Sequence, residues 1–357
     1  MNMLTETKKQ RKIYFDLIRI AAIFLVLFTH THELGSKLYT LREGDFVRLF
    51  YITLDCVRTI NNPLLFMISG ALLLGRDESV GQVWKKRILR FVIVLFVFSY
   101  IHLIDTALNS GTMASFDLLA SFKSIIEGPV RSSYWFLYSY ISFLIMLPLL
   151  RLLAKHMALK DGLYLFLTGA LVLDGFRLFR LCTGVSGIDL NIYFCEMIMF
   201  YPLVGFIMEK YWDEIISKID RKKMVVVVIF GIAGLMISVG LTYREFLLSG
   251  NWTENWITFS DPLLAVLIFI IVKKSCAHLS QDKHPLFIRL VTVAGGSMFG
   301  IYLLENIFRN ITKPVFYALD MYTPTIVACL IWLMLTMVLG TVVIWLIKLI
   351  PGVKKFI

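Results

Sequence analysis

The feature that most constrains this chain is the number and length of its apolar stretches. Apolar runs of about 20 residues, bounded by charged residues, recur along the whole sequence. A helix needs about 20 residues to cross a bilayer core of about 30 Å. The candidate spans cover residues 13–32, 50–75, 88–108, 134–154, 162–180, 190–208, 224–243, 257–273, 287–308 and 326–349. The sequence therefore predicts an all-α, polytopic integral membrane helix bundle with about ten transmembrane helices.

The composition agrees with a membrane protein. Of the 357 residues, 58% are apolar and only 17% are charged, whereas soluble proteins average about 45 to 50% and about 25%. This excess excludes a disordered chain, a fibrous repeat and most cytosolic enzymes. The five cysteines are scattered and form no Cys-x-x-Cys pair, so neither a disulfide framework nor a metal site is predicted.

Two of the candidate spans contain polar interruptions. Asn61, Asn62 and Pro63 interrupt the second span, and Asp174 and Arg177 lie within the fifth. A break at membrane depth is tolerated only where neighbouring helices cover the backbone groups that it frees. We therefore expect a broken helix at either place.

The basic residues indicate how the chain is oriented. In the loops on the side of the N-terminus lie 24 of the 36 lysines and arginines. The opposite side has Lys37, Arg42, Arg48, Lys123, Arg131, Arg177, Arg180, Arg244, Arg309 and Lys313. Cytoplasmic loops are enriched in Lys and Arg, so both termini are predicted to be cytoplasmic and the number of spans even. The net charge of +11 is thus a signal of orientation, and a nucleic-acid partner is not expected.

The chain is predicted to form a single membrane domain over residues 1–357, with residues 1–12 as a cytoplasmic tail. Asp16 and Arg19 interrupt the start of the first span and no small-residue cleavage site follows it, so we expect an anchor and not a cleaved signal. No fused soluble domain is expected, because no loop is long enough. The longest outer connection, residues 109–133, is amphipathic.

Ionisable residues inside spans are costly and are functional candidates by default. Asp16 and Arg19 lie in the inner half of the first span, and His30 lies near its outer end. His30 is eleven positions after Arg19, which places the two residues within about 20° on one helix face and about 16 Å apart. They can therefore line one channel. His32 points about 160° away from His30 and is expected at the surface.

The same depth argument polarises the whole molecule. A set of acidic residues and one further histidine fall in the outer half of the spans: His102, Asp105, Glu196, Asp261 and Glu305. A basic cluster that includes Lys85 and Lys86 lies inside, after Ser69 and Gly70. A histidine near carboxylates suits general-base activation of a hydroxyl, and inner cations suit a phosphorylated donor. This combination favours acyl transfer across the bilayer.

Each candidate also has a purely structural interpretation. Asp16 and Arg19 can form a local ion pair at i, i+3. The basic cluster can be the cytoplasmic flank that topology demands. Glu196 and Asp261 can each pair with Arg58 or with backbone groups, and Asp105 can pair with His102.

Four segments of the chain, taken in order, resemble the acyltransferase family 3 membrane proteins, which are bacterial O-acyltransferases of surface polysaccharides and related glycans. Residues 14–19 with His30 resemble the family's Arg-x10-His motif, and residues 63–74 its Phe-x-x-Ser-Gly-x-Leu-Leu segment followed by a basic stretch. Residues 135–138 and 300–304 resemble its Trp-Phe-Leu and Gly-Ile-Tyr-Leu segments. The similarity covers nearly the whole chain.

This resemblance implies a function. Acyl-CoA, carrying an acetyl group or alternatively a succinyl group, would be the co-substrate from the cytoplasm, with no bound cofactor. The acceptor would be a hydroxyl of an extracytoplasmic or lipid-linked glycan, and the protein a multi-pass protein of the bacterial plasma membrane. An extended pantetheine arm, on the order of 16 to 20 Å long, matches the estimated distance from Arg19 to His30.

The resemblance also assigns roles to individual residues. His30 would be the catalytic base, and Arg19, beside Asp16, a second essential residue near the donor path. The residues expected to contact CoA are Arg87, Arg90 and Lys86. On the acceptor side we expect Glu305, Glu196 and Trp135. Many relatives carry histidine where this chain has Glu305, and a carboxylate there can change the acceptor class or the pH response.

Two other classes of function remain open from the sequence. A secondary transporter or polysaccharide flippase would also be polytopic, with intramembrane carboxylates. Such transporters often contain two-fold repeats, and the first and last five spans show no convincing similarity. A sensor or assembly component of an export system is the third interpretation, and it predicts no turnover of acyl-CoA.

Overall fold

The computed structural model describes residues 11–41, 44–185, 193–254, 256–279 and 284–357, and these ranges are helical with no β-strand. The first helices are α1 (Ile13–Thr29), α2 (Asp45–Arg58), α3 (Asn61–Leu73), α4 (Val80–Asn109), α5 (Leu118–Glu127), α6 (Ser132–His156) and α7 (Leu159–Thr183). They are followed by α8 (Met197–Lys210), α9 (Trp212–Lys218), α10 (Arg221–Ser249), α11 (Asp261–Ser275), α12 (Pro285–Asp320) and α13 (Thr325–Ile347). Single 3-10 turns occur between them, for example at His32–Leu34 and Leu38–Thr40.

The all-α architecture is confirmed, with several helices that are candidates for membrane spans, whereas the predicted number of ten spans stays a prediction. Within the described ranges, 7 helical segments are long and apolar enough to cross a membrane. The three other predicted spans correspond to shorter helices: α1 has 17 residues, α8 has 14 and α11 has 15. The start of the predicted span 190–208 lies outside the described residues, and so does most of the predicted tail 1–12. The cytoplasmic location of both termini likewise stays a prediction.

Both interrupted spans depart from regular helix where the sequence indicated. The second divides into α2 and α3, with Thr59 and Ile60 between them. The fifth is continuous as α7 but widens to a π-helical turn at Leu171–Gly175, which contains Asp174. A second π turn, at Trp84–Ile88, begins the long part of α4. Single π turns of this kind are often found at functional sites.

The helices divide into an interior group and a rim. α8 is buried almost all round, with nine consecutive residues from Phe200 to Met208 inaccessible to solvent. α10, in contrast, exposes large apolar side chains: Val225, Val226, Ile229, Phe230, Ile232 and Met236. An exposed apolar surface of this kind is expected to face lipid. Most charged residues of the candidate site belong to the helices α1, α4 and α12.

In the interior, α3 and α8 approach each other closely at two glycines. A Cβ atom placed on Gly70 would lie 1.9 Å from the carbonyl oxygen of Pro202, and one on Gly205 would lie 2.1 Å from that of Met67. The two backbones therefore touch, which only glycine permits. Gly70 belongs to the Ser-Gly segment noted in the sequence, so one part of that motif has a packing role.

A second glycine contact joins α1 to α12. A Cβ atom on Gly295 would lie 2.5 Å from the Cβ of Asp16. The absence of a side chain at Gly295 lets α12 pass directly over the buried carboxylate of α1.

The Gly70→Ala substitution should prevent stable packing of α3 on α8. Because the added methyl would meet backbone and not a flexible side chain, the helices must separate, and we expect a destabilisation of about 3 kcal/mol or more. Thermal unfolding of the purified protein in detergent measures this. Gly240→Ala is the matched control, since no atom lies within 4 Å of its added Cβ, and a normal melting profile for Gly70→Ala would contradict the account.

Candidate active site

Two cavities lie at opposite ends of the α1–α12 contact. The arginine cavity, of about 360 Å³, is lined by Arg11, Arg19, Arg76, Arg87, Arg90 and Tyr302, together with apolar side chains. The histidine cavity, of about 450 Å³, is lined by His30, Ser133, Glu305, Arg309, Arg131 and Lys313, among others. Arg19 and His30, expected to line one channel, therefore line two separate cavities.

An aromatic cluster separates the two cavities. Tyr302 lines the arginine cavity, and its hydroxyl donates a hydrogen bond of 2.7 Å to the carbonyl of Ser133, a residue that lines the histidine cavity. The ring of Tyr302 packs edge-on against Phe136, with centroids 5.7 Å apart. The hydroxyl of Tyr134 donates a hydrogen bond of 2.6 Å to the carbonyl of Leu303, the residue after Tyr302 on α12. These contacts lie between the arginine cavity and the histidine cavity.

The histidine cavity is built around His30, which follows the last residue of α1. Its Nδ1 lies 3.0 Å from Oε1 of Glu305, although the direction of the contact does not meet hydrogen-bond geometry. Nε of Arg309 donates to the other oxygen of Glu305 at 2.8 Å, and Nη1 of Arg309 donates to the carbonyl of His30 at 2.6 Å. Arg309 therefore holds the carboxylate and the histidine backbone in one unit.

This unit has a definite chemical capacity. A neutral imidazole with its Nδ1 proton toward Glu305 leaves the lone pair of Nε2 free to accept a proton. No described residue hydrogen-bonds to Nε2 of His30, whereas Glu305 is 3% exposed and fixed by two partners. His30 can thus act as a base, and Glu305 can stabilise the imidazolium that forms.

At the other end of α1, Asp16 organises the arginine cavity from behind. The carboxylate of Asp16 is 1% exposed and accepts two hydrogen bonds from Arg11, at 2.6 and 2.8 Å. It accepts a third from Nη1 of Arg19 at 2.8 Å. The predicted local pair of Asp16 with Arg19 is therefore present, and Asp16 orients two of the arginines that line the cavity without lining it itself.

Arg87 and Arg90, which share a sequence motif, differ in their surroundings. Arg87 donates to both oxygens of Glu78, at 2.8 and 2.6 Å, and Arg151 donates to one of them at 2.8 Å. The hydrogen bonds from Arg87 have the largest effect on Glu78, and together with the one from Arg151 they lower the pKa of its carboxyl to about 2. Nε of Arg90 is buried with no hydrogen-bond partner. Arg90 therefore has more capacity than Arg87 for an anionic ligand.

The remaining predicted residues lie elsewhere. Lys86 is exposed and does not line the arginine cavity. Glu196 lines a third cavity, of about 900 Å³, together with Arg177, Arg180 and Asp261. Trp135 is 40% exposed and packs against Phe136. The structure brings neither Glu196 nor Trp135 to the histidine cavity, and His32 is exposed at the rim of that cavity.

The alternative pairings differ from those suggested by the sequence. Arg58 pairs with Asp55, three residues earlier on α2, and its guanidinium forms no ion pair with Asp261. Asp261 accepts a hydrogen bond from the hydroxyl of Thr59 at 2.6 Å. Nε2 of His102 lies 2.9 Å from the carbonyl of Leu303, and Asp105 accepts from Asn109. His102 therefore belongs to the aromatic cluster between the cavities.

Sequence reasoning missed Arg309, Arg11 and Tyr302. Arg309 had a readable signal, because it is four residues after Glu305 and so lies on the same face of α12. Arg11 lies in the predicted cytoplasmic tail, residues 1–12, and no local pattern indicates that it reaches Asp16. In the described part of the chain, no group of three His, Cys, Asp or Glu side chains is placed to hold a metal ion.

Comparison with known proteins gives one match. Residues 12–348 match the family model for acyltransferase 3, which is described as an acyltransferase domain. No curated protein and no solved structure matches the chain.

Proposed function

The chain belongs to acyltransferase family 3, as its motifs predicted, and we propose on this premise that it moves an acyl group from acyl-CoA to a hydroxyl of a glycan. The observation that carries the proposal is the pair of cavities at the two ends of one helix contact. One presents several guanidinium groups, and the other a histidine backed by a carboxylate. Transfer between a cytoplasmic donor and an extracytoplasmic acceptor requires two such sites.

The donor is acyl-CoA, with acetyl as the expected group and succinyl as the alternative. Its phosphates would bind at the arginine cavity, where guanidinium groups match phosphate oxygens in geometry and charge. Arg90 is the strongest candidate because its buried Nε has no partner. Arg19 lies next along the path toward His30, and the apolar wall formed by Leu65, Phe91 and Phe299 suits the pantetheine arm.

The acceptor is a hydroxyl of an extracytoplasmic or lipid-linked glycan in the histidine cavity. Nε2 of His30 takes the hydroxyl proton as the oxygen attacks the thioester carbonyl. The C–S bond then breaks, and the proton on His30 goes to the departing CoA thiolate, which returns the base to its neutral form. Glu305 stabilises the charged histidine during this step.

The thioester must pass the aromatic cluster to reach His30. About 16 Å separates Arg19 from His30 by helical rise, and Tyr302 lies between the cavities. We propose that the arm enters beside Tyr302, with opening of the Tyr302–Ser133 hydrogen bond. The protein would act in the plasma membrane of a bacterium with the arginine cavity toward the cytoplasm.

The His30→Ala substitution should abolish transfer. Removal of a general base lowers the rate by about 100-fold to 10,000-fold, while binding of acyl-CoA at the other cavity should change little. Release of free CoA thiol and acylation of the acceptor are measured in nanodiscs with acetyl-CoA or succinyl-CoA. His156→Ala is the matched control, since His156 is exposed at the end of α6 and lines neither cavity.

Full turnover by the His30→Ala protein would exclude His30 as the base. If the wild-type protein released no thiol with either acyl-CoA, a transporter or an assembly component would become the better interpretation.

The Arg90→Gln substitution should weaken donor binding. Loss of one charge-assisted contact to a phosphate is expected to raise the KM for acyl-CoA about tenfold, with a smaller change in kcat. Lys86→Gln is the matched control, because Lys86 belongs to the same basic stretch but is exposed outside the cavity. Equal increases in KM for the two variants would show that only the general positive charge of this surface matters.

A further inference from the structure

The histidine cavity contains two cations that the proposed chemistry does not use. We propose that the acceptor is anionic, with a carboxylate or phosphate group close to the hydroxyl that receives the acyl group. Arg131 and Lys313 would bind this group. The inference rests on the proposed function, since it names the chemical class of the acceptor.

Neither cation forms an ion pair within the described part of the chain. Arg131 donates from Nη2 to the hydroxyl of Thr106 at 2.8 Å, and Nζ of Lys313 lies over the ring of Tyr317, 5.6 Å from its centroid. Among the described residues, no carboxylate lies within the 4.0 Å of an ion pair from either group. Both residues are half-buried and line the cavity.

The carboxylates that line the same cavity do not pair with Arg131 or Lys313. Glu305 contacts His30 and forms an ion pair with Arg309, so Arg309 already balances its charge. Glu33 also lines the cavity but is exposed, and it forms no ion pair with the residues that the structure describes. After these pairings, Arg131 and Lys313 are the unbalanced cations, with a single exposed carboxylate at the rim.

Topology gives no reason for cations at this place. The positive-inside pattern explains basic residues on the cytoplasmic side, but Arg131, Arg309 and Lys313 belong to the sparse set of ten predicted on the opposite side. These three line one cavity. Half-buried cations carry a desolvation cost, and a bound anion would offset it.

The rest of the cavity suits a sugar. Ser132, Asn306 and Asn310 line it with hydroxyl and amide groups that form no hydrogen bond to other described residues, so they are available to sugar hydroxyls. A volume of about 450 Å³ is within the usual range for a small-molecule site. An acidic saccharide can therefore place one hydroxyl at His30 and its charge at Arg131 and Lys313.

Equilibrium binding to the full chain in nanodiscs tests the inference without acyl-CoA. In the carboxylate arm, the probe is a hexasaccharide of alternating glucuronic acid and N-acetylglucosamine, compared with its carboxyl-reduced form. In the phosphate arm, N-acetylglucosamine 1-phosphate is compared with N-acetylglucosamine. We expect the charged member of at least one pair to bind about tenfold more tightly, and the arm that shows the difference identifies the anion.

Arg131→Gln and Lys313→Gln should each remove most of that preference and leave binding of the neutral member unchanged. Lys123→Gln is the matched control, because Lys123 is an exposed residue of α5 that is predicted on the same side but lies outside the cavity. Equal binding of charged and neutral members in both arms would overturn the inference. So would an equal loss of preference in the Lys123→Gln protein.

The two proposals fail in different ways. A preference for the charged saccharide without any release of thiol from acyl-CoA would contradict the transferase function alone. Acyl transfer to neutral and charged saccharides with the same KM would contradict the anionic acceptor alone.

Discussion

The packing of α1 against α12 determines both cavities. At one end, Gly295 of α12 lies against Asp16, whose carboxylate holds Arg11 and Arg19. At the other end, Glu305 and Arg309 of α12 contact His30. The two helices therefore present cations for a donor and a base for an acceptor, and their fixed register sets the distance over which the acyl group must be delivered.

The cost of charge in an apolar bundle separates structural from functional groups. Asp16, Glu78 and Glu305 each accept hydrogen bonds from arginine, which compensate the carboxylate charge and orient the side chains. Arg90 and Lys313 form no ion pair with a described residue. Buried or half-buried cations of this kind are expected where an anionic ligand completes the site.

Much of this arrangement could be predicted from the sequence, because it depends on helical periodicity and on local breaks. The Arg19–His30 spacing placed the two residues about 16 Å apart along α1, and Asn61 to Pro63 indicated the break at which α3 starts. Glu305 was expected near His30, and it lies there. In each case the signal lies within a few turns of one helix.

The rest depends on contacts between distant segments, which no local pattern contains. Arg87 was expected to contact CoA, yet its guanidinium pairs with Glu78, which also pairs with Arg151. The contact between the two cavities joins Tyr302 to Ser133, 169 residues apart. Glu196 was expected at the acceptor site from its depth in a predicted span, and Trp135 from its motif. The packing of α6, α7 and α8 places both residues away from His30.

The proposed transfer requires the two cavities to open to opposite sides of the membrane. Cysteines introduced one at a time into a Cys182→Ser protein test this directly. The Cys182→Ser change removes the exposed native thiol, and the other four native cysteines are buried. The readout is labelling by a membrane-impermeant maleimide. The account predicts that Asn310→Cys is labelled in intact cells and Arg76→Cys only in inverted vesicles. Labelling of both positions from the same side would contradict it.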